Sequence, residues 1–174
     1  RMESYALIPI FGMNNAMASF TGQNVGAQKY DRVHRGFRAG TAMSCCMSLC
    51  VSALLFFLAP DFARLFSLSG EALAQAVEYQ RFMSLCIILF ASYMPASGLL
   101  QGAGDVLWTS MMSFSTLALR VAASYTMVYA LSVGPSACWW NIPFGWGLGC
   151  LLAFPRYRSK RWMSKRVVGE VQKD

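Results

Sequence analysis

The sequence predicts an all-α, polytopic transmembrane helix bundle, and two observations support that prediction. Residues 4–28, 39–60, 82–104 and 121–155 contain no Asp, Glu, Lys or Arg. Hydrophobic residues make up 56% of the chain and charged residues only 13%, against about 25% charged in a soluble domain. A helix needs about 20 apolar residues to cross a bilayer, and in lipid every backbone polar group must be bonded within the structure. We therefore expect the uncharged stretches to be membrane-spanning helices.

Five spans fit this pattern, at residues 5–27, 37–58, 79–100, 107–131 and 137–154. Prolines mark several of them. Pro60 closes the second span, whereas Pro9, Pro95 and Pro143 lie inside the first, third and fifth, where a proline is tolerated or bends the helix. The sequence does not begin with Met, and we expect it to be a piece of a longer protein.

The segment between the second and third spans predicts a further helix. Ser69 is a residue type that caps helices, and Glu71 in the first turn suits the helix dipole. We expect this helix to run directly into the third span.

Basic residues border the spans unevenly, which predicts the orientation. The first loop and the segment after the fifth span are rich in Lys and Arg, whereas the loop after the second span has more acidic residues than basic ones. Five spans place the two basic segments on one side, which the positive-inside rule makes cytoplasmic. We expect residues 1–155 to form a lobe in the plasma (inner) membrane and residues 156–174 to form a basic cytoplasmic tail. Topology accounts for this basic charge, and binding to lipid head groups adds to it.

The remaining composition argues against enzymes and nucleic-acid binding. The net charge of +7 sits at span ends and not along a solvated face. The six cysteines include no CxxC pair and the chain has one histidine, so we interpret the cysteines as small buried hydrophobes and expect no metal or cofactor site. No span contains an acidic residue or a histidine, so neither catalysis nor an ion relay has the groups it needs.

Two helix faces carry small and polar residues at helical spacing. One lies on the first span, with Asn15, Ser19, Gly22 and Gly26, and Asn14 beside it. The other lies on the fourth span. We expect the polar members of these faces to line a substrate cavity: Asn14, Asn15, Ser113, Thr116, Arg120 and Ser124, with Thr109 on the same stripe.

Arg120 is the one charge near the middle of a predicted span. A charge there costs about 2.5–3.5 kcal/mol on insertion scales, so it faces the bundle interior or water. It either lines a hydrated cavity or ties neighbouring helices together. Asn14 and Asn15 are the partners we expect for it.

Four GxxxG spacings occur, at Gly22/Gly26, Gly36/Gly40, Gly98/Gly102 and Gly145/Gly149. Small residues four apart let membrane helices approach closely. We expect these pairs to pack helices inside the bundle, in preference to forming a dimer interface.

Three segments resemble the multidrug and toxic compound extrusion (MATE) family. Residues 20–33, FTGQNVGAQKYDRV, are similar to that family's GQN-x-GA turn, followed by a basic helix start. Residues 100–105, LQGAGD, resemble the small-residue turn between the family's tenth and eleventh helices, and residues 140–146, WNIPFGW, resemble its last helix. The positions that match as structural motif residues are Gln23, Asn24, Gly26, Ala27, Arg32, Gly102 and Gly104.

The resemblance implies helices eight to twelve of a twelve-helix transporter. It implies a proton- or sodium-coupled antiporter that exports amphipathic or cationic drug-like compounds by rocking two lobes around a central cavity. The partners it implies are the bilayer, the transporter's own N-terminal lobe and small-molecule substrates. Some branches carry an acidic residue in the helix that matches the third span. None is present here, so we expect the coupling ion to bind in the N-terminal lobe.

Two other functions fit the composition. A lipid-linked oligosaccharide flippase of related fold would line its cavity with several basic residues, but here only Arg120 lies near the middle of a span. A membrane scaffold subunit would use the GxxxG faces as binding surfaces, but short connections and inward polar stripes favour a closed lobe.

The orientation is testable with single cysteines in a cysteine-free background of the protein that contains this chain. An impermeant thiol reagent on intact cells should label Glu71→Cys but not Arg35→Cys or Lys160→Cys, because the latter two positions are predicted to be cytoplasmic. The reverse labelling pattern would refute the orientation.

Overall fold

The computed structural model describes residues 2–130 and 137–164. In these ranges it is all-α, with no strand, which confirms the predicted fold class. The helices are α1 (Met2–Gly26), α2 (Tyr30–Phe57), α3 (Ala59–Leu65), α4 (Gly70–Gly102), α5 (Val106–Tyr125) and α6 (Ala137–Arg158). A π-helical turn, Thr126–Ala130, extends α5, and a 3₁₀ turn, Arg161–Ser164, follows α6.

Among the described residues, three helical segments are long and apolar enough to cross a membrane: Tyr30–Phe57, Gly70–Gly102 and Val106–Tyr129. Helices α1 and α6 have the length of a span, at 25 and 22 residues. Their Asn, Gln, Gly and Pro residues make them less apolar. The count of five spans and the division at residue 155 therefore stay predictions.

Several helices are longer than predicted, because they continue into polar sequence at their ends. Helix α2 begins at Tyr30, well before predicted residue 37, and α6 continues to Arg158, past predicted residue 154. The segment from Gly70 does run straight into the third predicted span, as expected. The predicted loop around residues 134–135, Cys138's side chain and residues 165–174 lie outside the described part of the chain.

The short helix α3 and the start of α4 differ from the prediction. Pro60 lies in the first turn of α3, where its fixed φ suits a helix start and its missing N–H costs nothing. Ser69 does occupy the N-cap position of α4, but its side chain makes no capping hydrogen bond. The expected cap bond is therefore wrong. Gly70, which follows Ser69, adopts a φ of +59°, a left-handed conformation that differs from the backbone of an ordinary first helical turn.

Helix α4 is the central element of the bundle and packs against all the other helices. Near its start, Met83, Ile87 and Phe90 are buried against α1, α2 and Trp146 of α6. Near its end, Leu99 and Leu100 are fully buried with residues of α1, α2 and the segment after α6. Because both apolar clusters are built on α4, this helix fixes the arrangement of the others.

The closest helix contact joins α4 to α1 through two glycines. A Cβ atom on Gly98 would collide with the backbone carbonyl of Asn14, and one on Gly102 with that of Ala18. The expectation of internal packing is confirmed here, since only glycine allows backbones to approach this closely. The space beside three other glycines is occupied by side chains: Phe20 beside Gly36, Arg120 beside Gly145 and Tyr93 beside Gly149. Gly26 has open space beside it.

Serine hydroxyls add hydrogen bonds between α2 and α4. Ser44 Oγ donates to the carbonyl of Ala91 at 2.9 Å, and Ser52 Oγ donates to the carbonyl of Ser84. Such interhelical bonds stabilise helix pairs where lipid removes the hydrophobic drive for association.

Replacing Gly102 with alanine should destabilise the protein, because the added methyl group meets the Ala18 backbone, which cannot move aside as a side chain can. Overpacking of this kind costs about 1–3 kcal/mol, so we expect the thermal unfolding midpoint in detergent to fall by several degrees. The matched control is Gly12→Ala, where no atom lies within 4 Å of the new methyl group and alanine is the better helix former. Equal midpoints for the two variants would contradict the close α1–α4 contact.

Candidate functional site

A cavity of about 200 Å³ lies between α1, α4 and α5. Helix α4 supplies its floor with Tyr93, Met94, Ser97 and Gln101, while α1 and α5 supply the two walls. The wall residues are Phe11 and Asn14 from α1, and Thr109, Met112, Ser113 and Thr116 from α5. Three of the residues that the sequence placed in a cavity, Asn14, Ser113 and Thr116, therefore meet here.

Asn14 is the most unusual polar residue in this cavity. It is 8% exposed, and its Oδ1 accepts no hydrogen bond from any described residue. The α1–α4 contact holds Asn14 in place, because its carbonyl and side chain lie against Gly98. A buried carbonyl without a donor costs about 1–3 kcal/mol, so the site favours a ligand or water that supplies one.

The hydroxyl groups on the α5 wall bond back to their own helix. Thr109 Oγ1 donates to the Val106 carbonyl, Ser113 Oγ to the Thr109 carbonyl and Thr116 Oγ1 to the Ser113 carbonyl, at 2.9–3.0 Å. Each hydroxyl thereby donates its one proton to its own helix, and its oxygen lone pairs remain able to accept a hydrogen bond. The α5 wall thus offers acceptors to a ligand, as Asn14 does on the opposite wall.

Arg120 lies one turn beyond the cavity and outside its lining. Its Nε donates to Asn141 Oδ1 of α6 at 3.3 Å, and its methylene groups fill the space above Gly145. The expected partners Asn14 and Asn15 are wrong: Asn14 Oδ1 has no partner and Asn15 is exposed. Arg120 is half-buried between α5 and α6, which is the geometry of a tie between two helices.

Ser124 and Asn15 complete the set of predicted cavity residues. Ser124 is half-buried and Asn15 exposed, and neither belongs to the lining of the α1–α4–α5 cavity. The prediction that they contact substrate is untested, and the lining of this cavity gives it no support.

The sequence reasoning missed a buried ion pair that joins α5 to α6. Arg156 Nε and Nη2 donate to Asp105 Oδ2 and Oδ1 at 2.6 and 3.0 Å, and the Asp105 side chain is 2% exposed. The guanidinium also lies 4.7 Å from the ring centroid of Trp108. The available signal was that Asp105 and Arg156 each directly end an uncharged stretch.

Aromatic residues fix the segment after α6 against the start of α2. Trp162 is fully buried, and its Nε1 donates to the Tyr157 carbonyl at 3.1 Å. Tyr157 Oη lies 2.7 Å from His34 Nδ1, within hydrogen-bond distance. The first loop and the chain after α6 therefore lie at the same end of the bundle.

The motif residues build the turns at this end. Asn24 Nδ2 donates to the Phe20 carbonyl at 2.7 Å, and the Asn24 carbonyl accepts from the Lys29 amide at 2.8 Å. Gln23 reaches Ser19 on its own helix at 3.5 Å, while Ala27 and Arg32 are exposed. Gly104 adopts a φ of +83°, a conformation that favours glycine, and thereby places Asp105 at the start of α5.

A match to a protein-family model identifies the family to which this chain belongs. The family model described as MatE matches residues 1–126 of this chain. The chain belongs to the MATE family. The resemblance drawn from the three sequence motifs is thus confirmed.

Two similar proteins extend this result. The probable multidrug resistance protein YoeA of Bacillus subtilis (strain 168) is 21% identical over 173 residues, which cover 99% of this chain and 37% of YoeA. A solved structure, described as the inward-facing conformation of a multidrug resistance MATE family transporter of the MOP superfamily, matches with a TM-score of 0.82 at 24% identity. That match covers 92% of this chain and 37% of the solved one, so it shows a shared fold over little more than a third of the relative.

A double-mutant cycle tests whether Arg120 ties α5 to α6 in this MATE protein. Arg120→Leu and Asn141→Leu should each lower the thermal unfolding midpoint, and the double variant should lose less than the sum. Side-chain hydrogen bonds between membrane helices couple by about 0.6 kcal/mol on average and about 1.7 kcal/mol at most. Arg120→Lys should lose less than Arg120→Leu, because it keeps the charge but not the planar donor group.

If the loss of the unfolding midpoint in the double variant equals the sum of the two single losses, Arg120 and Asn141 do not interact, which would contradict the tie. Normal stability of Arg120→Leu together with reduced export would instead place Arg120 in the transport cavity.

Proposed function

We propose that this chain is the C-terminal lobe, helices eight to twelve, of a cation-coupled antiporter that exports amphipathic or cationic compounds by alternating access. Membership of the MATE family and the names of both similar proteins support this proposal. The observation that carries it is the α1–α4–α5 cavity with its buried, unpartnered Asn14 carbonyl.

The chemistry of the cavity suits compounds with an apolar body and a donor or positive charge. Phe11 and Tyr93 present aromatic side chains, and Met94 and Met112 present polarizable thioethers. Aromatic faces attract organic cations, methionine adapts to ligands of different shape, and Asn14 can accept one hydrogen bond. Without a carboxylate among the lining residues, such contacts give moderate affinity, which suits a transporter that must also release its substrate.

The same cavity argues against an anionic substrate. A flippase for lipid-linked oligosaccharides needs basic groups at the substrate, and no Lys or Arg lines this cavity in the described part of the chain. Arg120, the one basic residue near the middle of a predicted span, is bonded to Asn141 instead.

The coupling ion, a proton or sodium, would bind in the N-terminal lobe. Among the described carboxylates, Asp105 is buried at the start of α5, and Arg156 holds both of its oxygens. A carboxylate neutralised in this way is a poor ion carrier, and an ion site in the other lobe would let that lobe move against this one.

The orientation we propose places the C-terminus in the cytoplasm of a plasma (inner) membrane. The structural support is that the first loop, the turn at Gly104 and the segment after α6 meet at one end of the bundle. In the five-span topology, four spans lie between the first loop and that segment. An even number of membrane crossings returns the chain to the same side, so this arrangement agrees with five spans.

Two neighbouring asparagines provide a sharp test of the cavity. In cells that produce the full-length protein, Asn14→Leu should weaken export of a lipophilic cationic dye such as ethidium, because the buried acceptor is lost. A hydrogen bond of about 1 kcal/mol corresponds to about a fivefold rise in KM. Asn15→Leu, an exposed position on the same turn, is the matched control and should leave KM unchanged.

Asn14→Asp should lower KM for the cation but not for a neutral substrate of the same pump, since it adds a negative charge. Equal kinetics in all three variants, at equal protein levels, would contradict the proposed substrate site.

A further inference from the structure

We propose that the start of α2 forms a binding site for the head group of an anionic phospholipid in the cytoplasmic leaflet. An open groove of about 480 Å³ lies there. It is lined by six successive or nearly successive residues around the turn between α1 and α2: Gln28, Lys29, Tyr30, Asp31, Arg32 and Arg35.

The groove carries positive charge that the described residues do not neutralise. Lys29, Arg32 and Arg35 are exposed, and no described carboxylate lies within 4 Å of any of them. Other arginines differ, since Arg64 pairs with Asp61 at 3.8 Å and Arg156 pairs with Asp105 at 2.6 Å. Asp31 is the one acid in the groove, which leaves a net charge of two positive units from three cations.

The backbone adds to this charge. Helix α2 is 28 residues long and begins at Tyr30, so the positive end of its dipole and its first amide groups lie in the groove. Phosphate groups bind favourably at such helix starts. Lys29 at the N-cap position has no side-chain acceptor and makes no cap bond. The Arg32 amide bonds to the Lys29 carbonyl at 3.1 Å, so the Tyr30 and Asp31 amides are the ones that can donate to an external acceptor.

The position of the groove favours a lipid over a free phosphate. On the inner side of the same helix turn, Val33 and Phe37 are buried, so the basic side chains point out of the bundle. Farther along α2, Met43, Leu49 and Leu54 are exposed in a stretch that can lie against acyl chains. A lipid along α2 would thus place its phosphate at Lys29, Arg32 and Arg35, at the depth where basic residues meet head groups.

The buried Trp162 gives the groove a fixed neighbour. Its ring lies 6.3 Å from the ring of Tyr30 and 5.8 Å from that of His34, which holds the segment after α6 beside the start of α2. Arg158 and Lys160 of that segment are exposed and extend the positive surface. The positive surface therefore extends beyond the local residues that line the groove.

Lipid titration of the full-length protein in neutral detergent tests the proposal. Dioleoylphosphatidylglycerol should raise the thermal unfolding midpoint in a saturable way, whereas dioleoylphosphatidylcholine should not. The triple variant Lys29→Gln, Arg32→Gln, Arg35→Gln should need at least tenfold more phosphatidylglycerol for half of the shift. Arg64→Gln, which removes an arginine from the other predicted face, is the matched control and should titrate like the unchanged protein.

Asp31→Asn supplies a second, independent readout if the triple variant folds poorly. It removes the one acid of the groove and should lower the half-saturating phosphatidylglycerol concentration by about twofold to threefold, since the groove gains a unit of positive charge. An unchanged titration in Asp31→Asn or in a folded triple variant would overturn the proposal. So would an equal shift with phosphatidylcholine. A full shift produced by inorganic phosphate alone would show an anion site that does not require lipid, and would equally overturn it.

Discussion

The close contact between α1 and α4 is the constraint on which the rest of this structure depends. Gly98 and Gly102 leave no room for a side chain against the α1 backbone, and this proximity sets where α1 lies. It also carries Asn14 into the space beside α4, where its side-chain carbonyl is buried without a donor. The α1–α4–α5 cavity is therefore a consequence of backbone packing, and α5 completes it with a wall of hydroxyl groups.

Two polar ties hold α5 against α6 and so keep that wall in position. At one end the Asp105–Arg156 pair is buried and bidentate, and removing one partner of such a pair costs about 3–5 kcal/mol. Farther along, Arg120 donates to Asn141. Each tie satisfies a charge that would be expensive in lipid, and together they hold α5 and α6 to each other.

The sequence predicted most of the helices because insertion into lipid depends on composition, and uncharged stretches report it directly. It placed helix ends poorly, since a helix such as α2 continues into its charged first turn from Tyr30 without any change in backbone bonding. Short α3 was missed because seven residues between two long helices produce no periodic signal that stands apart from them.

Side-chain partners were harder to predict than helices. Arg120 is half-buried and bonded to α6, but its partner could not be predicted, because it depends on which helix lies beside α5, and that is a property of the whole bundle. Asp105 and Arg156 each end an uncharged stretch, but they are 51 positions apart, so no local pattern reveals that they pair. By contrast, Asn14, Ser113 and Thr116 could be predicted because polar residues on one face of a membrane helix must turn toward the interior.

The most direct test of this account is a cryo-EM structure of the full-length protein with an exported lipophilic cation bound. The account predicts ligand density between α1, α4 and α5, with a ligand donor or positive centre next to Asn14 Oδ1 and its body against Phe11 and Tyr93. A ligand bound in the protein without contact to any of these three residues would contradict the account.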